Sequence, residues 1–145
     1  MIVYTIDVSG STASSFNGTP VEDVNGDGRS NTILDAELAG FIALTQKLIT
    51  LGAGDIASVG IVVFGTSAAT LDMDSATSGI QFSAKAAADT DNNGVYNVID
   101  VLQSIIVGME GVGTSTSFAD GIDTSTTTFN ALSIQGSARQ LKMWY

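Results

Sequence analysis

Asp7, Ser9 and Ser11 stand at alternate positions in the stretch DVSGS, directly behind the apolar run Ile2-Val3-Tyr4-Thr5-Ile6. An extended backbone turns alternate side chains to one side, so one carboxylate and two hydroxyls would share a face. That is a hard, low-charge oxygen set of the kind Mg²⁺ accepts while keeping several waters. An ion held with so little protein charge stays electrophilic and can take a carboxylate from a partner. Ser and Gly also suit a plain turn and a helix cap. Spacing alone leaves these two readings balanced.

Two loops carry a second chemistry. Asp89, Asp91, Asn93, Asn97 and Asp100 fall at positions 1, 3, 5, 9 and 12 of a loop with Gly94 at position 6. This is the spacing of an EF-hand-type calcium loop, with Asp where Glu is usual, and dockerin repeats look similar. Val95, at position 7, would offer its carbonyl. The glycine permits the sharp turn that aims the earlier side chains at one centre. The plain alternative is a solvated turn with Asp100 in the first turn of a helix. Asp23, Asn25, Asp27, Arg29 (through its carbonyl) and Asn31 begin the same pattern, but position 12 is Leu34 and the nearest acid, Asp35, comes one residue late. Either Asp35 swings in as a ligand, or Thr32 and Asp35 open a helix.

Composition narrows the chemistry further. The 145 residues suffice for one domain with a sizeable core. The formal charge is −10, with twelve Asp against three Glu and only five Lys and Arg. Such a surface repels phosphate backbones and anionic lipid, so no nucleic-acid or membrane partner is expected. The absence of Cys and His removes disulfides, zinc sites, thiol nucleophiles and His-based triads. Any metal is then oxygen-bound: Mg²⁺, Mn²⁺ or Ca²⁺. No segment is long and apolar enough to span a bilayer, and Met1 running straight into a strand is not the pattern expected of a secretory leader.

The elements that must position these residues alternate. Residues 2–8 and 57–64 read as buried strands, 35–51 as a helix with Leu34, Leu38, Phe41, Ile42, Leu48 and Ile49 on one face. Weak edge-strand signals follow at 68–71 and 80–84, then a helix around Val98 to Ile106. A Gly-rich turn leads into a third helical stretch near 118–132. This order predicts an α/β fold with a Rossmann-like, open, mostly parallel sheet flanked by helices. Ligands of such sheets bind beyond the carboxyl ends of strands, which is where DVSGS falls.

IVYTIDVSGST resembles the first strand and DxSxS motif of von Willebrand factor A-type domains, and GVGTSTSFADGI resembles the later segment that completes their metal-ion-dependent adhesion site. The resemblance covers most of residues 2–132. It implies that Asp7, Ser9, Ser11 and Thr114 hold Mg²⁺ or Mn²⁺, with the hydroxyls ligating directly or through water. It also implies a protein ligand that offers a carboxylate, and residues 1–136 as a partial domain with loop insertions at 17–34 and 86–100. The family draws one further aspartate from the end of another buried strand. Asp120-Gly121 is the one downstream Asp-Gly, lies inside the third helical pattern, and is left unassigned. Residues 137–145, SARQLKMWY, stand where that strand should develop. The expectation is a chain truncated at its C-terminus, or one that departs from the family's reading frame near Gly136.

These readings converge on a non-enzymatic, cation-dependent adhesion or protein-interaction module with accessory calcium loops, part of a larger extracellular or cell-surface bacterial protein. Two alternatives stay open: a structural, calcium-stiffened spacer, and an intracellular A-type subunit of an AAA-type ATPase complex. A Mg²⁺-dependent phosphotransferase using Asp7 as nucleophile would usually carry an acid two residues on, where this chain has Ser9, and no phosphate loop with Lys is present.

Overall fold

The computed structural model describes residues 1–141, with side chains described through Ile134. Strand β1 (Ile2–Asp7) leads into a 3₁₀ turn at Gly10–Ala13, and α1 spans Ile33–Thr50. Then come β2 (Ser58–Phe64), β3 (Ala68–Thr70), β4 (Ala84–Lys85), α2 (Asn97–Gln103) and α3 (Phe118–Leu141). The chain is a small mixed α/β domain with a mixed sheet and three α-helices among the described residues.

β2 is the centre of the sheet. It pairs in parallel with β1, from Ile2 opposite Val59 to Asp7 opposite Phe64. Its other edge takes β3 near its end and β4 near its start, both antiparallel. Only the β1–β2 pair is parallel, so the sheet is mixed where a mostly parallel one was expected. The segment 80–84, expected as edge strand, pairs only from Ala84 onward, and its apolar Ile80 and Phe82 stay exposed.

Burial explains the layering. β2 reads Val-Gly-Ile-Val-Val-Phe because both of its faces are covered. On one face, Tyr4, Ile6 and Val8 join Leu34 and Leu38 of α1 and Val98 and Leu102 of α2 in the core. The Tyr4 ring stacks on Phe41 at 4.5 Å, and its hydroxyl meets that of Thr45 at 3.0 Å. On the opposite face α3 crosses the sheet. Ser125 meets Thr5 of β1 at 2.7 Å, Thr128 meets Thr70 of β3 at 2.7 Å, and Gly121 packs on the Phe64 ring.

α1 starts where it does because Thr32 and Asp35 close a reciprocal cap. Asp35 N–H donates to Thr32 Oγ1 (3.0 Å), and Thr32 N–H donates to Asp35 Oδ2 (2.9 Å). It stops at Leu51 because Gly52 takes φ +78°, a left-handed turn that releases the chain. α3 runs on to Leu141, past the expected end near residue 132 and into the segment expected as a divergent tail. The expectation for residues 142–145 lies outside the described residues.

Candidate functional site

The carboxyl ends of β1 and β2 meet a loop from 108 to 117, and hydrogen bonds knit the three together. Val8 N–H donates to Phe64 O (2.8 Å), Gly108 N–H to Val8 O (2.8 Å) and Ser117 N–H to Gly65 O (2.7 Å). Gly10 N–H donates to Thr114 O at 2.8 Å. Glycine is required at Gly65, where a Cβ would collide with the Gly113 carbonyl oxygen. Gly113 itself sits at φ +79°. Two motifs about a hundred residues apart in sequence therefore share one surface.

Within that surface, Asp7 Oδ1 accepts the Ser9 N–H at 2.8 Å, and the Ser9 and Ser11 hydroxyls lie 3.1 Å apart. Ser9 is 1% exposed, whereas Ser11 and Thr114 face solvent. The local geometry is thus both things the sequence allowed. The Asx turn at Asp7 is the plain turn, and it also gathers a carboxylate and two hydroxyls on one side. The donor set suits a hard divalent cation that keeps its waters. Asp120, the unassigned aspartate, lies in the first turn of α3 with its N–H directed at Ser117 Oγ (3.4 Å).

Glu37 is a neighbour of this site that sequence reasoning missed. Its half-buried carboxylate accepts the Asp7 N–H and lies beside the Asp7 carboxylate. Burial pushes the Glu37 carboxyl up to about 7; the Asp7 N–H opposes that shift and the Asp7 charge adds to it. A signal was available: Glu37 is an acid on the stripe that continues as Phe41, Leu44 and Leu48, at helical spacing.

The two Asp/Asn loops share a hydrogen-bond scheme. In the later loop, Asn93 N–H donates to Asp89 Oδ1 and Asp91 Oδ1 (both 3.2 Å). Gly94 N–H donates to Asp89 Oδ2 (3.1 Å) and Val95 N–H to Asn93 Oδ1 (2.7 Å). In the earlier loop, Asp27 N–H donates to Asp23 and Asn25, Gly28 N–H to Asp23, and Arg29 N–H to Asp27. Positions 4 and 6 take positive φ in both: Gly26 at +69° and Gly28 at +86°, Asn92 at +56° and Gly94 at +87°.

Beyond position 7 the loops part. Asn93 Nδ2 reaches both Asp91 (3.1 Å) and Asp100 (3.0 Å), so the donor end of an amide bridges two carboxylates. Asn97, expected as a ligand, opens α2 instead and turns its side chain to Thr90 and the Met73 carbonyl. In the earlier loop Asn31 turns to Val21 and Phe16. Asp35 is 1% exposed, and both of its oxygens are engaged by Thr32 and the Val24 N–H. Of the two readings the sequence left open there, the helix start is the one present. Burial raises the Asp35 carboxyl, but those hydrogen bonds outweigh it and hold the group below its usual range.

Asp74 also arrives at the later loop, unforeseen from sequence. It lines a cleft of about 40 Å³ with Thr90, Asp91, Asn97 and Asp100. Hydrogen bonds from Thr77 and Thr90 hold its carboxyl below the usual range. Among the described residues no three acidic side chains gather closely enough to form a ready-made ion cage.

No protein-family model matches the chain, and no curated protein does. Among solved structures, an uncharacterized membrane spanning protein from Vibrio fischeri matches 92% of this chain over 48% of its own length, with TM-score 0.55 and 20% identity. The PilB minor pilin from Streptococcus sanguinis matches 89% of this chain over 26% of its own length, with TM-score 0.53 and 19% identity. The chain thus spans about half of the first and about a quarter of the second. At such identity the likeness is one of fold. It defines the class, a small mixed α/β domain of a kind that occurs within longer polypeptides. No helix among the described residues is long and apolar enough to cross a membrane.

Proposed function

We propose that the chain is a partial von Willebrand factor A-type module that works in cation-dependent adhesion or protein interaction. Asp7, Ser9, Ser11 and Thr114 would hold Mg²⁺ or Mn²⁺, and a carboxylate of a protein ligand would complete the ion's shell. The observation that supports this best is the Gly10 N–H to Thr114 O hydrogen bond of 2.8 Å, which seats the Gly-Thr segment against the DxSxS turn. The parallel β1–β2 pair with helices on both faces and an antiparallel edge strand is consistent with the Rossmann-like fold that this reading requires. An ion held mainly by hydroxyls remains strongly Lewis-acidic, and the acceptor it seeks is an anionic oxygen.

A surface-exposed setting follows from the same reading. Calcium loops suit an exterior rich in that ion, and one fold neighbour is described as a minor pilin. Titration with Mn²⁺ by calorimetry tests the site. Wild-type protein should bind, and the Ser9→Ala, Ser11→Ala double variant should lose binding with its far-ultraviolet spectrum unchanged. Equal binding by both proteins would remove the adhesion site. In that case the shared scheme of the two Asp/Asn loops favours the second reading, a calcium-stiffened spacer within a larger surface protein.

A further inference from the structure

We propose that Asn17-Gly18 is a self-modifying site, at which the chain converts a side-chain amide into an acid with water as co-reactant. The inference stands apart from the metal reading. In an Asn-Gly pair the glycine nitrogen can attack the preceding side-chain amide, because no Cβ obstructs the approach and the backbone turns freely. The sequence holds three such pairs, at Asn17, Asn25 and Asn93. Local sequence would let all three react, and the fold separates them.

Two of the pairs are held. Asn25 is half-buried, its Nδ2 donates to the Ile105 carbonyl at 2.7 Å, and its Oδ1 accepts the Asp27 N–H at 3.2 Å. Turning that amide onto the Gly26 nitrogen would break both bonds. Asn93 Nδ2 spans Asp91 and Asp100, and its Oδ1 accepts the Val95 N–H at 2.7 Å. The Gly94 N–H is engaged by Asp89 at 3.1 Å. Attack requires the Gly94 nitrogen to lose its proton, and three neighbouring carboxylates oppose the negative charge that forms.

Asn17 differs in each respect. Asn17, Gly18, Thr19 and Pro20 are all exposed. Among the described residues no hydrogen bond engages the Asn17 amide or the Gly18 N–H. The segment is nevertheless bounded by a single residue. Asn31 accepts the Phe16 N–H on its carbonyl (2.8 Å) and the Val21 N–H on its Oδ1 (3.2 Å), and its Nδ2 donates to the Phe16 carbonyl (3.2 Å). The pair thus sits at an exposed loop tip between two fixed points, where chemical change is best tolerated.

The step balances. Hydroxide removes the Gly18 N–H proton, the nitrogen bonds to Asn17 Cγ, and the Cγ–Nδ2 bond breaks. The leaving nitrogen takes up a proton and departs as ammonia. Water then opens the cyclic imide. Opening at the Cγ–N bond gives aspartate, and opening at the backbone C–N bond gives isoaspartate, with the chain rerouted through Cγ and longer by one methylene. Either product adds a negative charge to the loop, while the Asn31 tethers lie outside the altered bonds.

The test is to age the full chain in mildly alkaline buffer and follow the three pairs by peptide mass spectrometry. Asn17 should convert at least tenfold faster than Asn25 and Asn93, giving isoaspartate as well as aspartate, with melting unchanged. Gly18→Ala should slow it at least tenfold, and in urea the three pairs should react at similar rates. The proposal is overturned if Asn17 lasts as long as the other two in the folded chain, or if aspartate forms without isoaspartate, which would mean direct hydrolysis. A lead for Asn17 that persists undiminished in urea would overturn it too, since the fold would then not select the site.

Discussion

The loops at 23–35 and 89–100 begin alike and end differently. Through position 7 they share backbone donors, the positions of their acceptors and the sign of φ. After that, the later loop ends in Asp100, whose carboxylate accepts from the Asn93 amide within the first turn of α2. The earlier loop has already committed its last acid, since Asp35 caps α1 and is saturated by Thr32 and Val24. One inserted residue separates a loop whose twelfth position is an acid in the first turn of α2 from one whose last acid caps α1. The backbone course of such a loop can therefore arise from local Asx turns alone, and the twelfth position is where these two copies differ.

The largest effect expected from this contrast is on melting in calcium. An ion at a hundredfold excess over its Kd adds about 2.7 kcal/mol. For this chain that is a rise of several degrees, reversed by chelator and absent in Asp100→Ala. A melting temperature indifferent to calcium would sink the ion reading of both loops. Next in size, Asp35→Ala should cost about 2 kcal/mol with or without calcium, because a cap is lost and the buried Thr32 N–H and part-buried Val24 N–H are orphaned. If that cost instead scales with calcium, Asp35 is a ligand after all and the contrast fails.

Glu37 gives a third, pH-dependent effect. Its folded-state pKa is raised from 4.5 to about 7, so the folded protein favours its protonated form. The stability this gives is full below pH 4.5 and is lost as pH rises through 7. Glu37→Gln should therefore gain about 1 kcal/mol at pH 8, discounted for the partial exposure of the group, and nothing at pH 4. Urea titrations at both values decide it, and equal effects at the two would refute the assignment. The smallest effect lies at position 4. Gly26→Asn should change stability by less than about 0.5 kcal/mol, since Asn92 holds the equivalent φ at +56°. A larger cost, measured the same way, would show that the loops differ before position 7.

Much of the frame was legible in the residues. β1, β2 and α1 fall within two residues of their expected bounds because apolar period and caps are local signals. The DxSxS turn and the Gly-Thr loop were legible as a pair, and the structure brings them together at Gly10 and Thr114. What escaped was set by tertiary contacts. Asp74 joins the cleft because Thr90 reaches back to it across sixteen residues. Asn97 looked like a ligand by count, yet its place at the start of α2 points it at Thr90 and Met73. The full length of α3 was underestimated because its pattern of Thr and Ser is only weakly amphipathic, and a lone Gly136 does not stop a helix.

The mounting of α3 has a dynamic consequence. Ser125 on Thr5 and Thr128 on Thr70 fasten this helix with hydroxyl pairs, alongside Phe118 and Gly121 on the Phe64 ring, where α1 is fastened chiefly by aliphatic and aromatic side chains. Hydroxyl pairs yield little net free energy once water can replace either partner. Among the described residues α3 gives no side chain to the buried aliphatic core, so its amides are expected to exchange faster than those of α1. Opening of α3 would bare the second face of β1 and β2, which that helix covers.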